Sequence, residues 1–191
     1  MDMQGSRLLK ATQEQAWQAL NDPAILKACI PGCDKFELAE PNVYAVGVAL
    51  KIGPVAAKFT GKVSLMDIVP PTSYALQFEA QGGIAGFGKG ESKVELKTVE
   101  GGVELNYVVH SQVGGKIAQL GQRLIDGVAK TLAEDFFTRF EEQLQARHGG
   151  ADTDAASHSN PEKSEADGVT PTWVWAFGVV IAATAVWFIA R

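Results

Sequence analysis

The sequence predicts an α+β fold in which a curved antiparallel sheet wraps around one long C-terminal helix, with two short helices after the first strand and a transmembrane helix appended. Three observations carry that reading. Apolar residues alternate with polar ones along several runs between residues 46 and 109, the period of two that half-buried strands require. From residue 117 to 144 they recur every three or four positions instead, which is helical spacing. Residues 173–190 then form an uncharged run of eighteen, closed by Arg191.

Taken in order, residues 4–10 read as the first strand. Thr12 is placed to cap a short helix that carries Glu14, Ala16, Trp17 and Leu20, and Asn21-Asp22-Pro23 ends it. A second helical turn follows over residues 23–28. After the Pro31-Gly32 turn the pattern becomes strand-like. Val46, Val48 and Leu50 alternate with smaller neighbours; Phe59, Gly61, Val63 and Leu65 oppose Lys58, Thr60, Lys62 and Ser64. Pro70-Pro71 breaks the run before Tyr74, Leu76 and Phe78, then come Ser92, Val94 and Leu96, and after Gly101-Gly102 Leu105, Tyr107 and Val109. These predict about six antiparallel strands with one wet and one dry face. Ile117, Leu120, Leu124, Val128, Leu132, Phe136, Phe140 and Leu144 predict a final helix of about thirty residues whose stripe drifts around its axis, as needed to follow a twisted sheet.

Helix and bent sheet can enclose a space between them. Many inward positions are small: Gly47 or its neighbours, Ala57, Gly61, Gly88, Gly90, Ser92 and Ser111, with Ala118, Gly121, Gly127 and Ala129 on the helix. Small residues leave volume, and an apolar hollow suits a lipophilic ligand. The expected ligand-binding residues are Phe59, Gly61, Leu76, Phe78, Gly88, Gly90, Leu105, Leu120, Leu124 and Val128. The alternative is a dry, filled core in which the glycines serve only strand bending.

Several other chemistries lack their residues. Residues 83–90, Gly-Ile-Ala-Gly-Phe-Gly-Lys-Gly, fall one position short of a phosphate-binding loop, because Gly90 stands where a magnesium-binding hydroxyl belongs and a strand pattern follows instead of a helix. A glycine-rich hairpin at the pocket mouth is the expected role. Cys29 and Cys33 do not complete a zinc site, and His110, His148 and His158 show no matching spacing. No nucleophile–base pair is visible, and Glu79, Glu91 and Glu95 alternate outward, so the expectation is a protein without a catalytic constellation. A small enzyme acting on a lipophilic substrate would need titratable groups inside the hollow, where only Tyr74, Tyr107 and Ser92 qualify. Through residue 148 there are 15 basic and 17 acidic residues, so no basic stripe invites nucleic acid.

The organisation expected is a ligand-binding domain over residues 1–148, an acidic disordered linker over 149–172, and a membrane anchor over 173–190. The linker carries Asp152, Asp154, Glu162, Glu165 and Asp167 with almost nothing apolar to bury. At about 1.5 Å per residue the anchor would span roughly 27 Å, close to the hydrocarbon thickness of a bilayer. Trp173, Trp175 and Trp187 fall near its ends, where aromatic belts sit. Without a hydrophobic leader among the first ten residues, the domain is expected to face the cytoplasm from a single-pass C-terminal anchor in the cytoplasmic membrane.

Several stretches resemble the G-subunit family of carbon monoxide dehydrogenase, within the START-like helix-grip (SRPBCC) superfamily. They are Asn21-Asp22-Pro23, Cys29-Ile30-Pro31-Gly32-Cys33, Gly53-Pro54-Val55, Phe59 with Gly61, Asp67 with Pro70-Pro71, and Val113-Gly114-Gly115 leading into Ala118-Gln119-Leu120-Gly121 and Arg123-Leu124-Ile125. The resemblance implies an accessory protein, not an enzyme, whose partner is a molybdenum hydroxylase of the carbon monoxide dehydrogenase type. It also implies a lipophilic quinone such as menaquinone as carried ligand, with no covalently bound cofactor, and a link between the partner enzyme and the quinone pool of the bilayer. The competing expectation is a recruitment scaffold that binds no ligand.

Overall fold

The computed structural model describes residues 1–148, so the linker, the apolar run 173–190 and its three tryptophans lie outside the described residues. In chain order the elements are β1 (Asp2–Leu9), α1 (Gln13–Leu20), α2 (Pro23–Cys29), β2 (Cys33–Glu40), β3 (Val43–Ile52), β4 (Val55–Val69), β5 (Ser73–Gln81), β6 (Phe87–Val99), β7 (Gly102–Gly114) and α3 (Gln122–His148). The seven strands form one antiparallel sheet in the order β1-β7-β6-β5-β4-β3-β2. Strands β2 to β7 follow one another as neighbours, and α1 with α2 carries the chain from one edge of the sheet to the other. No helix among the described residues is long and apolar enough to cross a membrane.

Local chemistry accounts for the two short helices. Thr12 accepts from the Gln15 N–H while the Gln15 side chain accepts from the Thr12 N–H, a reciprocal cap that satisfies two orphan donors of α1. Asp22 caps α2 by accepting from the Ala24 and Ile25 N–H groups at 2.8 and 3.3 Å, with Pro23 in the first helical position where a missing N–H costs nothing. The other oxygen of that carboxylate pairs with Arg147 at 2.9 Å, which ties the α1–α2 junction to the end of α3.

The main core lies at this end of the molecule. Leu9, Ile25, Cys29, Leu96, Val103, Leu105 and Phe140 have almost no accessible surface, and Leu20, Tyr74, Phe137 and Leu144 pack with them. Phe140 anchors α3, and truncating so large a buried ring costs about 3–5 kcal/mol. A polar clamp reinforces the same half of the helix: Arg7 of β1 reaches Glu134 at 3.1 Å and Glu141 at 2.9 Å while its guanidinium stands 5.7 Å from the Phe137 ring centroid. Glu134 and Glu141 are two helical turns apart and so share one face.

A second, smaller cluster of Phe59, Ala85 and Ile117 closes the opposite end. Here the structure corrects the expected start of the long helix. Ile117 begins a single 3-10 turn over Ala118–Leu120, and Gly121 at φ +89° redirects the chain before α3 starts at Gln122. A positive φ of that size suits glycine and interrupts the helical hydrogen-bond ladder. The long helix therefore has 27 residues, and its first apolar pair, Ile117 and Leu120, belongs to the connection.

Candidate ligand cavity

Between the two clusters the sheet and α3 leave a space. The space is an apolar cavity of about 520 Å³, within the range of ligand-binding sites in general. Strand β3 supplies Val46, Val48, Leu50 and Ile52; β4 supplies Phe59, Gly61 and Val63; β5 and β6 supply Phe78, Ala80 and Gly88; α3 closes it with Ala129, Leu132, Ala133 and Phe136. Ala129 and Ala133 are the reason α3 leaves room. Its charged neighbours are Lys62 and Glu79, opposed on adjacent strands, which pair with each other at 3.2 Å.

A smaller cavity of about 210 Å³ lies beside it, lined by Leu26 within α2 and Ile30 after it, by Phe36, Tyr44, Leu65, Tyr74, Leu76, Leu105 and Tyr107 of the sheet, and by Phe136 and Phe137. Ile30, Val63 and Phe136 border both spaces, so they form the partition between two chambers of one hollow. Tyr74 packs edge-on against Trp17 with ring centroids 5.8 Å apart, and burial pushes its phenol well above the usual range.

Of the residues expected to bind ligand, Phe59, Gly61, Phe78 and Gly88 line the larger chamber, and Leu76 and Leu105 line the smaller. The other four differ. Gly90 pairs directly with Phe78, whose ring Cζ would stand 2.9 Å from a Cβ there, so this glycine seats the aromatic ring and does not itself line the large chamber. Leu120 sits in the 3-10 turn and lines neither chamber. Leu124 and Val128 face an outer ledge with Lys51 and Arg123, and Leu124 is 40% exposed. A stripe that repeats every four residues rotates about 40° per step, and counting back from Leu132 the drift turns its N-terminal members out of the hollow. Residues that periodicity did not single out complete the site: Tyr44, two positions before Val46 in the same alternating run, and Ile30 after α2. Ser92, one of three polar groups expected inside, lines neither chamber, whereas Tyr74 and Tyr107 do.

The glycine-rich segment is a hairpin, with a 3-10 turn over Gly83–Ala85 leading into strand β6, which no nucleotide loop does. Ile84 at its tip is 93% exposed, while the Ala85 carbonyl accepts from the Ile117 N–H at 2.9 Å and so latches the hairpin to the connection before α3. Cys29 is fully buried, with its thiol pushed up to about 11 by desolvation, and burial also raises Cys33. Neither forms a reactive thiolate at neutral pH. Among the described residues no group of three or more His, Cys, Asp or Glu could hold a metal ion.

The family model described as the G subunit of carbon monoxide dehydrogenase (CoxG) matches residues 5–145, nearly all of the sheet and of α3. The chain belongs to the CoxG family. Family membership suggests an accessory role for carbon monoxide dehydrogenase, in keeping with a component that is not the catalytic one. A conserved protein from Geobacillus kaustophilus is 36% identical, with a TM-score of 0.73, and the match covers 78% of this chain and 97% of that one. More distant structures share only the fold. A Rhizobium leguminosarum protein at 15% identity gives a TM-score of 0.60 over 76% of this chain and 95% of its own, and a Thermus thermophilus protein at 13% gives 0.59 over 78% and 99%. No curated protein matches the chain. These neighbours place the CoxG domain in the SRPBCC-like helix-grip fold.

Proposed function

We propose that this protein binds a lipophilic quinone in the hollow between α3 and the sheet and couples a molybdenum hydroxylase of the carbon monoxide dehydrogenase type to the quinone pool of the membrane. The observation that carries the reading is the large chamber itself: about 520 Å³ of space lined almost wholly by aliphatic and aromatic side chains. Unfilled apolar volume of that size forfeits packing energy and is retained where a ligand replaces it. A quinone with an isoprenoid tail has the matching chemistry, a nearly hydrocarbon surface with two carbonyls at one end. The uncharged run 173–190 supports the membrane half of the reading, since it is long enough to span a bilayer core and would keep the domain within reach of lipid. No catalytic machinery is required of such a carrier.

The test is to add quinone to the full-length protein in detergent and measure binding directly, alongside the content of its organic extract. The account expects saturable binding and co-purified quinone. A protein that neither carries nor takes up quinone, yet still brings the hydroxylase to membranes, would leave a recruitment scaffold in its place.

A further inference from the structure

The two chambers differ in one chemical respect. The larger has no polar side chain at its wall beyond the Lys62–Glu79 pair at its border, whereas the smaller is lined by three phenols, those of Tyr44, Tyr74 and Tyr107. Tyr74 is 6% exposed and Tyr44 is 9% exposed, so both phenols belong to nearly buried residues at the wall of the smaller chamber. In a wall whose other lining residues are apolar, these hydroxyls are the groups able to donate a hydrogen bond to an acceptor that enters. Tyr107 differs, because its hydroxyl lies over Gly5 of β1, where it shields the backbone of the edge strand.

Resting on the ligand-binding reading above, we propose that the smaller chamber receives the carbonyl-bearing head of the ligand, with the Tyr74 and Tyr44 hydroxyls donating to a ligand carbonyl oxygen, while the larger chamber holds the hydrocarbon tail. Volume agrees with the assignment for the ring that bears the carbonyls: a dry cavity of about 150 Å³ accepts a single benzene ring, and the smaller chamber has about 210 Å³. So does protonation, because the desolvation that raises the Tyr74 phenol, with Tyr44 adding to it, keeps the group a donor across the physiological range. The ligand then passes Ile30, Val63 and Phe136 head first and lies across the partition. Trp17, edge-on to Tyr74, holds that ring in place.

The experiment compares two probes on the full-length protein in detergent: menadione, which has the carbonyls, and methylnaphthalene, which has the same fused rings without them. Tyr74→Phe should weaken menadione binding about fivefold, the worth of one ordinary hydrogen bond, and leave methylnaphthalene binding unchanged. Adding Tyr44→Phe should weaken menadione further, and the infrared carbonyl stretch of bound menadione should move toward its value in hydrocarbon solvent. Equal effects on the two probes, or menadione binding and carbonyl stretch unchanged in the double variant, would overturn the head-group assignment while leaving ligand binding intact. If the unaltered protein binds neither probe, the assignment falls together with the reading it rests on.

Discussion

Gly61 and Gly88, two strands apart on the same sheet, line the same chamber and would respond to substitution in opposite ways. A Cβ at Gly61 would run into the Glu79 carbonyl and crowd the Ala80 Cα, so Gly61→Leu should distort β5 and lower the folded yield. A Cβ at Gly88 meets nothing within 4 Å, so Gly88→Leu should project into the chamber, abolish quinone uptake, and leave the melting temperature within about 2 °C of the parent. Binding assays with thermal melts separate the two. Other glycines lie under aromatic rings: Phe78 covers Gly90 and Phe87 covers Gly114, which shields bare strand backbone, and Phe59 lies over Gly82 just before the 3-10 turn. The cysteines give a second residue-scale prediction. Cys29, buried and shifted to about 11, should resist iodoacetamide in the folded protein and react on unfolding, while half-buried Cys33 should react first, as read by peptide mass spectrometry.

Among the elements, the α1–α2 junction is where electrostatics and packing meet. Although desolvation raises it, the Asp22 carboxyl is held below the usual carboxylate range by the Ala24 N–H, by Arg147 and by the Ile25 N–H. A depressed folded-state value means stability that is present above the unfolded value of about 3.9 and is lost as pH falls through the folded one. Asp22→Ala should therefore cost about 1 kcal/mol at pH 7, roughly 3 °C in melting temperature, and that gap should close below about pH 4. A gap independent of pH would mean that the carboxylate charge contributes nothing. The two short helices and the strands are legible in the sequence because caps, prolines and period-two alternation are local signals: Thr12, Asp22 with Pro23, and the Phe59-to-Leu65 run each specify their element without help from the rest of the chain. The start of α3 is not, since Ile117 and Leu120 continue a helical spacing that only the backbone at Gly121 interrupts. For the cavity lining, strand alternation carries further than helical spacing. Alternation assigns a face unambiguously, while a four-residue repeat leaves the helix rotation to tertiary contacts, which turn Leu124 and Val128 outward and Ala129, Leu132 and Ala133 inward.

Among the described residues, two packed clusters flank the large chamber, while the small chamber indents the main cluster itself, whose Leu20, Tyr74, Leu105 and Phe137 line it. The Phe140 cluster and the Arg7 clamp fix the C-terminal half of α3, and the Phe59–Ala85–Ile117 cluster closes the other end, so the hollow persists because both of its walls are anchored beyond it. Removing residues 173–190 should move the protein from the membrane to the soluble fraction on cell fractionation without changing its affinity for added quinone, because the described lining residues of the cavity lie in the sheet, in α3 and in the connections leading into them. The most direct test of the central claim is mass spectrometry of the organic extract from the full-length protein, purified in parallel with its Gly88→Leu variant. The account predicts near-stoichiometric quinone in the parent and none in the variant; an extract free of quinone from both, with no uptake when quinone is added, would contradict it.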